Sequence, residues 1–321
     1  MQRFSNIIYI ADFEADNTAP FNEALTIAIN NQADITVIGL INPGGLDNSA
    51  ISKVEKKLLD AKVDHYFGKL ESLVQCAPKN NLTINMKMLV GKDFIEIISE
   101  VIKNKRDLLI KPIAINKSIS KRLFSSLDNK LLRKCPCPVW LIKPMKQKGY
   151  REILVCLDYD PENEENEALN RQLVDMAASL AIADGSDLYI VHSWRLPHES
   201  FLRSSRTGFS EAEVDDMAVD EETTRRFWLK TLVRGCLGEL GLETVKYLNP
   251  HISLIKGDAR SAIPKYAKKK GIELIVMGTI SRSGIPGFVI GNTAEEILNQ
   301  IDCSVIAVKP SGFISPVGLK I

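Results

Sequence analysis

Two stretches of the chain fix its architecture: Cys137-Pro-Val-Trp-Leu-Ile-Lys143 and Cys303-Ser-Val-Ile-Ala-Val-Lys309. Each is a cysteine, a short apolar run and a lysine, and they lie 309 − 143 = 166 residues apart. At the same offset Leu109-Ile110-Lys111-Pro112-Ile113 falls on Ile275-Val276-Met277-Gly278-Thr279, and Val90-Gly91-Lys92-Asp93 falls on Lys256-Gly257-Asp258-Ala259. The register runs without a gap, so the chain is an internal repeat. The starts of the halves also correspond. Asn6-Ile-Ile-Tyr-Ile-Ala-Asp12 resembles Glu152-Ile-Leu-Val-Cys-Leu-Asp158, at an offset of 158 − 12 = 146. The second half therefore carries 166 − 146 = 20 additional residues, and the polar, acidic, Ser-rich segment 200–220 is expected to hold most of them as a surface loop or lid.

Within the second half, apolar runs alternate with helical spacing. Ile153–Leu157 is continuously apolar, as in a strand buried on both faces. Residues 168–183 place Leu169, Leu173, Met176, Ala177 and Leu180 on one helical stripe. Strands follow at 188–191, 253–256, 274–277 and 305–308, with helices at 222–240, 263–270 and 293–301. This alternation predicts an α/β fold made of two tandem doubly wound parallel five-stranded sheets. The domains are expected at 1–144 and 150–311, joined by a short Lys-rich connector.

A chain of 321 residues suits two domains. Its net charge of +1 gives no field to attract nucleic acid or an anionic membrane. The basic run Lys268-Lys269-Lys270 reads as the solvated end of a helix. The apolar stretch 7–11 is too short for a membrane span or a secretory core, and a cytoplasmic location is expected. Six scattered cysteines suit a reducing compartment. Cys135-Pro136-Cys137 lacks zinc-knuckle spacing and a second pair, so it is read as buried beside a strand. The four histidines, His65, His192, His198 and His251, have no ligand spacing.

Open parallel sheets bind ligands beyond the carboxyl ends of their strands. After Met277 the chain reads Gly278-Thr-Ile-Ser281-Arg-Ser-Gly284-Ile-Pro-Gly287-Phe-Val-Ile-Gly291-Asn292-Thr293-Ala-Glu-Glu296. Glycines admit close backbone approach, and the following helix start offers free N–H groups to an anion. Thr293 with Glu296 three residues on has the form of a capping box. The same glycines could simply serve turns.

These motifs resemble the universal stress protein family: Met-Gly-Thr ending a strand, then Gly-Asn-Thr-Ala-Glu opening a helix, then Cys-Ser-Val-Ile-Ala-Val-Lys-Pro. The tandem arrangement resembles the double-domain type called universal stress protein E. The resemblance covers nearly the whole chain and is strongest over 255–310. It implies a stress-response protein binding an adenine nucleotide, ATP with Mg²⁺, in its second domain. Unknown protein partners, pairing of the two halves with each other and a homodimer are further implications. The ATP-binding branch is marked by Gly-x2-Gly-x9-Gly-[Ser/Thr]. Here Gly278, Ser281, Gly291 and Asn292 occupy the four positions, so the spacing is kept and two residues of four match. Thr293 supplies a hydroxyl one residue late. By the same resemblance Asp158 lies near the ribose or a metal ion, and Ser193 falls where the backbone reads the adenine edge. In the first half Pro112 stands at Gly278, Ile115 at Ser281 and Ser125-Ser126 at Gly291-Asn292. Proline has no N–H, so no ATP is expected there.

Two other readings stay open at this level. A slow ATPase would need a base, for which Asp158 is the only loop-placed carboxylate, with Arg282 placed to meet a γ-phosphate or merely solvated. No Walker lysine, Ser-His-Asp order or paired acids support efficient catalysis. A non-nucleotide scaffold would make the loop vestigial, which Ser281 and Asn292 favour.

Overall fold

The repeat visible in the sequence recurs element by element in a computed structural model, which describes residues 4–13, 17–43, 53–77, 82–114, 123–145, 147, 149–238, 240–279 and 291–318. The first half runs β1 (Asn6–Ile10), α1 (Thr18–Asn31), β2 (Asp34–Ile41), α2 (Lys53–Gln75), β3 (Ile84–Val90), α3 (Asp93–Lys103), β4 (Leu108–Pro112), α4 (Ser126–Lys134) and β5 (Val139–Ile142). The second runs β6 (Glu152–Leu157), α5 (Glu164–Asp184), β7 (Asp187–Trp194), α6 (Glu199–Leu202), α7 (Glu211–Gly238), α8 (Leu242–Leu248), β8 (His251–Lys256), α9 (Ala259–Lys270), β9 (Leu274–Gly278), α10 (Asn292–Leu298) and β10 (Ser304–Val308). Adding 166 to the bounds of β4 gives those of β9, and adding it to the start of α4 gives the start of α10. One turn repeats in detail. Gly91 and Gly257 adopt φ of +150° and +144°, and their N–H groups donate to Ile41 O (3.1 Å) and Trp194 O (2.8 Å). Only glycine takes such a φ without strain, which is why it stands in both copies.

The chain divides into two compact units. The first holds residues up to 149 and those from 302 on; the second runs from 150 to 279 and includes 291–301. In the first unit the strand order is β3-β2-β1-β4-β5, all parallel, with β10 added antiparallel beside β5. In the second the order is β8-β7-β6-β9, all parallel. In each, the order turns back between the first strand of the half and its fourth, which is the switch point of a doubly wound sheet. The continuous apolar runs of the sequence are here buried on both faces: Ile7, Ile8, Tyr9, Ile153, Leu154 and Val155 are all inaccessible to solvent.

The insertion differs from expectation. Residues 200–220 are not one loop, because α7 already begins at Glu211. A capping box starts it: Ser210 Oγ accepts from Glu213 N–H (3.3 Å), while Glu213 accepts from Ser210 N–H (2.8 Å). The Ser-x-x-Glu spacing was readable in the sequence, but the surrounding acidic residues hid it. Val214 and Ala218 of α7 bury themselves against Trp194 and Leu196, so the inserted segment has a small core of its own.

One buried charge cluster makes a stability prediction. Glu100 on α3 is almost fully buried and meets Lys87 Nζ at 2.7 Å and an Arg106 nitrogen at 2.9 Å. Burial pushes its carboxyl up, but the hydrogen bonds and charges of Lys87 and Arg106 outweigh that and hold it below the ordinary value of 4.5. A lowered folded-state pKa gives stability that is present above the unfolded value and lost as pH falls through the folded one. Glu100→Gln is therefore expected to lower the urea midpoint at neutral pH. Its deficit against the parent should shrink as both are titrated below pH ~4.5.

Candidate functional site at the strand ends of the second unit

The parallel register brings three strand ends level. Cys156 of β6 lies opposite Met277 of β9, and Leu157 lies opposite His192 of β7. Just past β6, the peptide of Asp158 is clamped by α5. Its N–H donates to Asn170 Oδ1 (3.2 Å), and its carbonyl accepts from Asn170 Nδ2 (2.6 Å) and Asn166 Nδ2 (2.9 Å). Asn170 is 2% exposed, so the clamp holds the part-buried Asp158 peptide from the inner side of α5. The first unit solves the same problem with Asn17, which accepts from Asp12 N–H (3.0 Å) and donates to its carbonyl (2.6 Å).

The proposed site residues that fall among the described ones each have a definite place. Asp158 follows β6, and Ser193 is the penultimate residue of β7 rather than lying beyond it, with its hydroxyl donating to Gly257 O (2.8 Å). Met277 and Gly278 end β9. A Cβ on Gly278 would sit 3.0 Å from Leu169 Cδ2, so a larger residue there would have to displace that leucine tip on α5 by a few tenths of an ångström. Gly291 precedes α10, anchored by its N–H donating to Thr279 O (2.9 Å). Ser281 and Arg282 lie outside the described residues.

The capping box expected at Thr293 and Glu296 does not form. Gly291 is the residue before the first helical turn, Thr293 is already the second residue of α10, and no side chain caps this helix. The chain enters the helix two residues earlier than the motif implied, because the Gly291–Thr279 bond sets the entry point. The matching box belongs to the first half. Ser125 Oγ accepts from Asp128 N–H (3.1 Å), and Asp128 Oδ2 accepts from Ser125 N–H (2.8 Å).

The first unit also fills its own strand ends. Lys111 Nζ on β4, almost fully buried, sits 3.1 Å from Asp128 Oδ1 and 3.6 Å from Asp12 Oδ2, and donates to Pro112 O (2.9 Å). At the offset of 166, Lys111 corresponds to Met277 and Asp128 to Ala294. An internal ion cluster in one copy is thus replaced by a thioether and a methyl group in the other.

Four more side chains at the second unit's strand ends escaped the sequence reading. His192 is 2% exposed and donates from Nδ1 to Leu157 O (3.0 Å), which fixes the proton on Nδ1 because a carbonyl only accepts. Trp228 of α7 meets Tyr159 edge-on at 5.0 Å and His192 at 5.2 Å between ring centroids. The guanidinium of Arg225 lies 4.1 Å from the Tyr159 ring centroid, a cation–π contact. These rings meet through tertiary packing of α7 and have no common spacing along the chain. Asn166 and Asn170 were accessible in principle, as two amides four residues apart on an otherwise apolar helical stripe. Among the described residues no group of three or more His, Cys, Asp or Glu side chains could hold a metal ion, and no helix is long and apolar enough to cross a membrane.

A parallel sheet whose order turns back between β6 and β9 defines a doubly wound α/β fold, with a crevice outside the carboxyl ends of those strands. The profile of the universal stress protein family matches residues 3–143 and again 149–309, so the chain belongs to that family. It is similar to universal stress protein E of Photorhabdus laumondii, 26% identical over 223 residues that cover 69% of this chain and 67% of that one. It is also similar to universal stress protein E of Escherichia coli K12, 27% identical over 231 residues, 71% of this chain and 69% of that one. Among solved structures, a functionally unknown protein of Pseudomonas aeruginosa PAO1 has the same fold, with a TM-score of 0.67 at 21% identity over 97% of this chain and 95% of that one. A universal stress protein of Archaeoglobus fulgidus gives 0.63 at 16% identity over 95% and 98%.

Proposed function

We propose that the second unit binds an adenine nucleotide, with ATP as its ligand, and that occupancy alters contacts with protein partners. The observation that carries this reading is the difference between the matched strand ends. The first unit fills its own with Lys111, Asp128 and Asp12, whereas the second has Met277, Ala294 and Asp158 at the same places. In this reading the backbone at Gly278, Gly291, Asn292 and Thr293, with Ser281, holds the phosphates, and Asp158 takes the ribose or a phosphate-bound Mg²⁺. The backbone at Ser193 meets the adenine edge. ATP supplies a ligand whose hydrolysis or release could reset partner contacts.

Co-purification tests it. Protein prepared without added nucleotide is denatured and its supernatant run on anion exchange, alongside calorimetry with ATP. Gly291→Val is the informative variant. Gly291 has φ −58° and ψ 136°, open to any residue, so valine there removes space rather than adding backbone strain. Near-stoichiometric ATP in the parent, and at least a tenfold weaker Kd in the variant (about 1.4 kcal/mol), is the expected result. Clean protein with no calorimetric response at millimolar ATP would sink the reading. A phosphate-release assay separates slow hydrolysis from binding.

A scaffold reading has one observation in its favour. Val219 and Phe227 of α7 and Phe201 of α6 are 61%, 73% and 60% exposed, on the connection from β7 to β8 that holds the second half's additional residues. It predicts partner capture that is indifferent to ATP and is lost in Phe227→Ser.

A further inference from the structure

The bend between α4 and β5 places two sulfurs face to face. Cys135 Sγ and Cys137 Sγ are 3.5 Å apart, with Cys135 inaccessible and Cys137 8% exposed. Pro136 between them fixes one backbone torsion and keeps Cys135 extended, at φ −70° and ψ 130°. The pair is therefore held together before any reaction, and the entropy of bringing two thiols together is already spent.

Cys137 also lines a cleft of ≈ 520 Å³ in the same unit. Val101, Ile102, Phe313 and Val317 give it mostly apolar walls, and Lys105 and Arg106 also line it. The segment that closes it is tied down by Ser315 Oγ donating to Lys134 O (2.7 Å). Behind the pair lies Lys309, almost fully buried and near enough to Cys135 for their charges to interact. The remaining cysteines are dispersed: Cys76 is exposed, and Cys156, Cys236 and Cys303 are buried.

We infer that Cys135 and Cys137 form a thiol–disulfide exchange site whose substrates are small uncharged organic disulfides entering by the apolar cleft. Cys137, the thiol on the cleft, attacks one sulfur of the disulfide and forms a mixed disulfide, and the expelled thiolate takes up the proton that Cys137 gave. Cys135 then attacks the Cys137 sulfur, releasing the second small thiol, which carries away the proton of Cys135. The balance is two protein thiols and one small disulfide giving one Cys135–Cys137 disulfide and two small thiols. The protein is oxidised, the small disulfide is reduced, and a dithiol reductant reverses the sequence. Burial keeps Cys137 protonated at rest, because the neighbouring Cys135 thiol and desolvation both push its pKa up. Reagents therefore reach the pair through the cleft that Cys137 lines rather than from bulk water.

The full reduced chain is incubated with excess 2-hydroxyethyl disulfide, quenched in acid, alkylated and cut with trypsin. Cleavage after Lys134 and after Lys146 puts both cysteines in one peptide, because Pro144 protects Lys143. The expected product is that peptide short of two hydrogens, with no hydroxyethyl adduct retained, restored by dithiothreitol. Cys135→Ser should stop at a stable adduct on Cys137, and Cys137→Ser should leave Cys135 unreacted. Far-UV circular dichroism and the parallel alanine variants guard against misfolding. Exposed Cys76 reports in every sample that the reagent was active. Full conversion of Cys76 while both thiols of the pair stay free in the parent overturns the inference, as does a persistent adduct in the parent that never closes.

Discussion

Lys111→Ala is expected to lower the unfolding free energy by about 3–5 kcal/mol, the cost of leaving buried carboxylates without their cation. The side chain of Lys111 is 5% exposed and that of Asp128 1%, so water cannot replace the ammonium at 3.1 Å. Asp12, 20% exposed and at 3.6 Å, is better able to recover solvent, so Asp12→Asn should cost less. The decisive comparison is the double variant Lys111→Met with Asp128→Asn. It removes both charges, and the asparagine oxygen can still accept from Ser125 N–H, so the helix cap of α4 survives. Most of the lost stability should return, since a buried pair is worth little against an apolar replacement while a broken pair is costly. Urea unfolding of the three variants against the parent measures this. A Lys111→Ala loss below about 1 kcal/mol would show that the cluster is hydrated, as surface pairs are.

The second large effect is expected at Asn170. Asn170→Leu keeps volume on α5 but removes the acceptor for the Asp158 N–H and one of the two donors to its carbonyl. A buried backbone group left without a partner costs about 1–3 kcal/mol; the Asp158 peptide is only part-buried and Asn166 still serves its carbonyl, so a loss of about 1–2 kcal/mol is expected. Asn170→Asp should fall between, because a carboxylate accepts from the N–H but repels the carbonyl. The same change frees the strand-end peptide that carries Asp158. If the proposed nucleotide site is correct, ATP affinity should drop about tenfold or more in calorimetry under conditions where the variant remains folded. An unchanged affinity with lowered stability would place Asp158 outside the ligand contacts.

Much of the architecture was legible because it rests on periodicity. Buried parallel strands must be apolar on both faces, so Ile153–Leu157 and Val305–Val308 announce themselves, and a repeat that keeps a constant offset preserves its strand and helix starts. Turn chemistry was partly legible: Gly91 and Gly257 repeat because a positive φ excludes other residues. The cap of α10 differs from the motif, since Thr293 and Glu296 have the right spacing two residues too late, while the boxes that form are Ser125–Asp128 and Ser210–Glu213. A four-residue motif specifies a cap only if the chain bends there, and at α10 a backbone bond from Gly291 to Thr279 sets the bend.

The amino-acid order thus established the family, the repeat and the absence of the glycine pattern from the first half, because each depends on residue type at fixed spacing. Three-dimensional packing supplied what spacing cannot encode. It brought Lys111 to Asp128 and Asp12, Asn170 to Asp158, and Trp228 to His192 and Tyr159. It also laid β10 beside β5 in the first unit although β10 ends the second half. Those partners are 12 to more than 160 residues apart in the cases of Asn170–Asp158 and Val305–Leu141. Their proximity follows from how sheets and helices stack to bury apolar surface, a property of the whole chain that no local window contains.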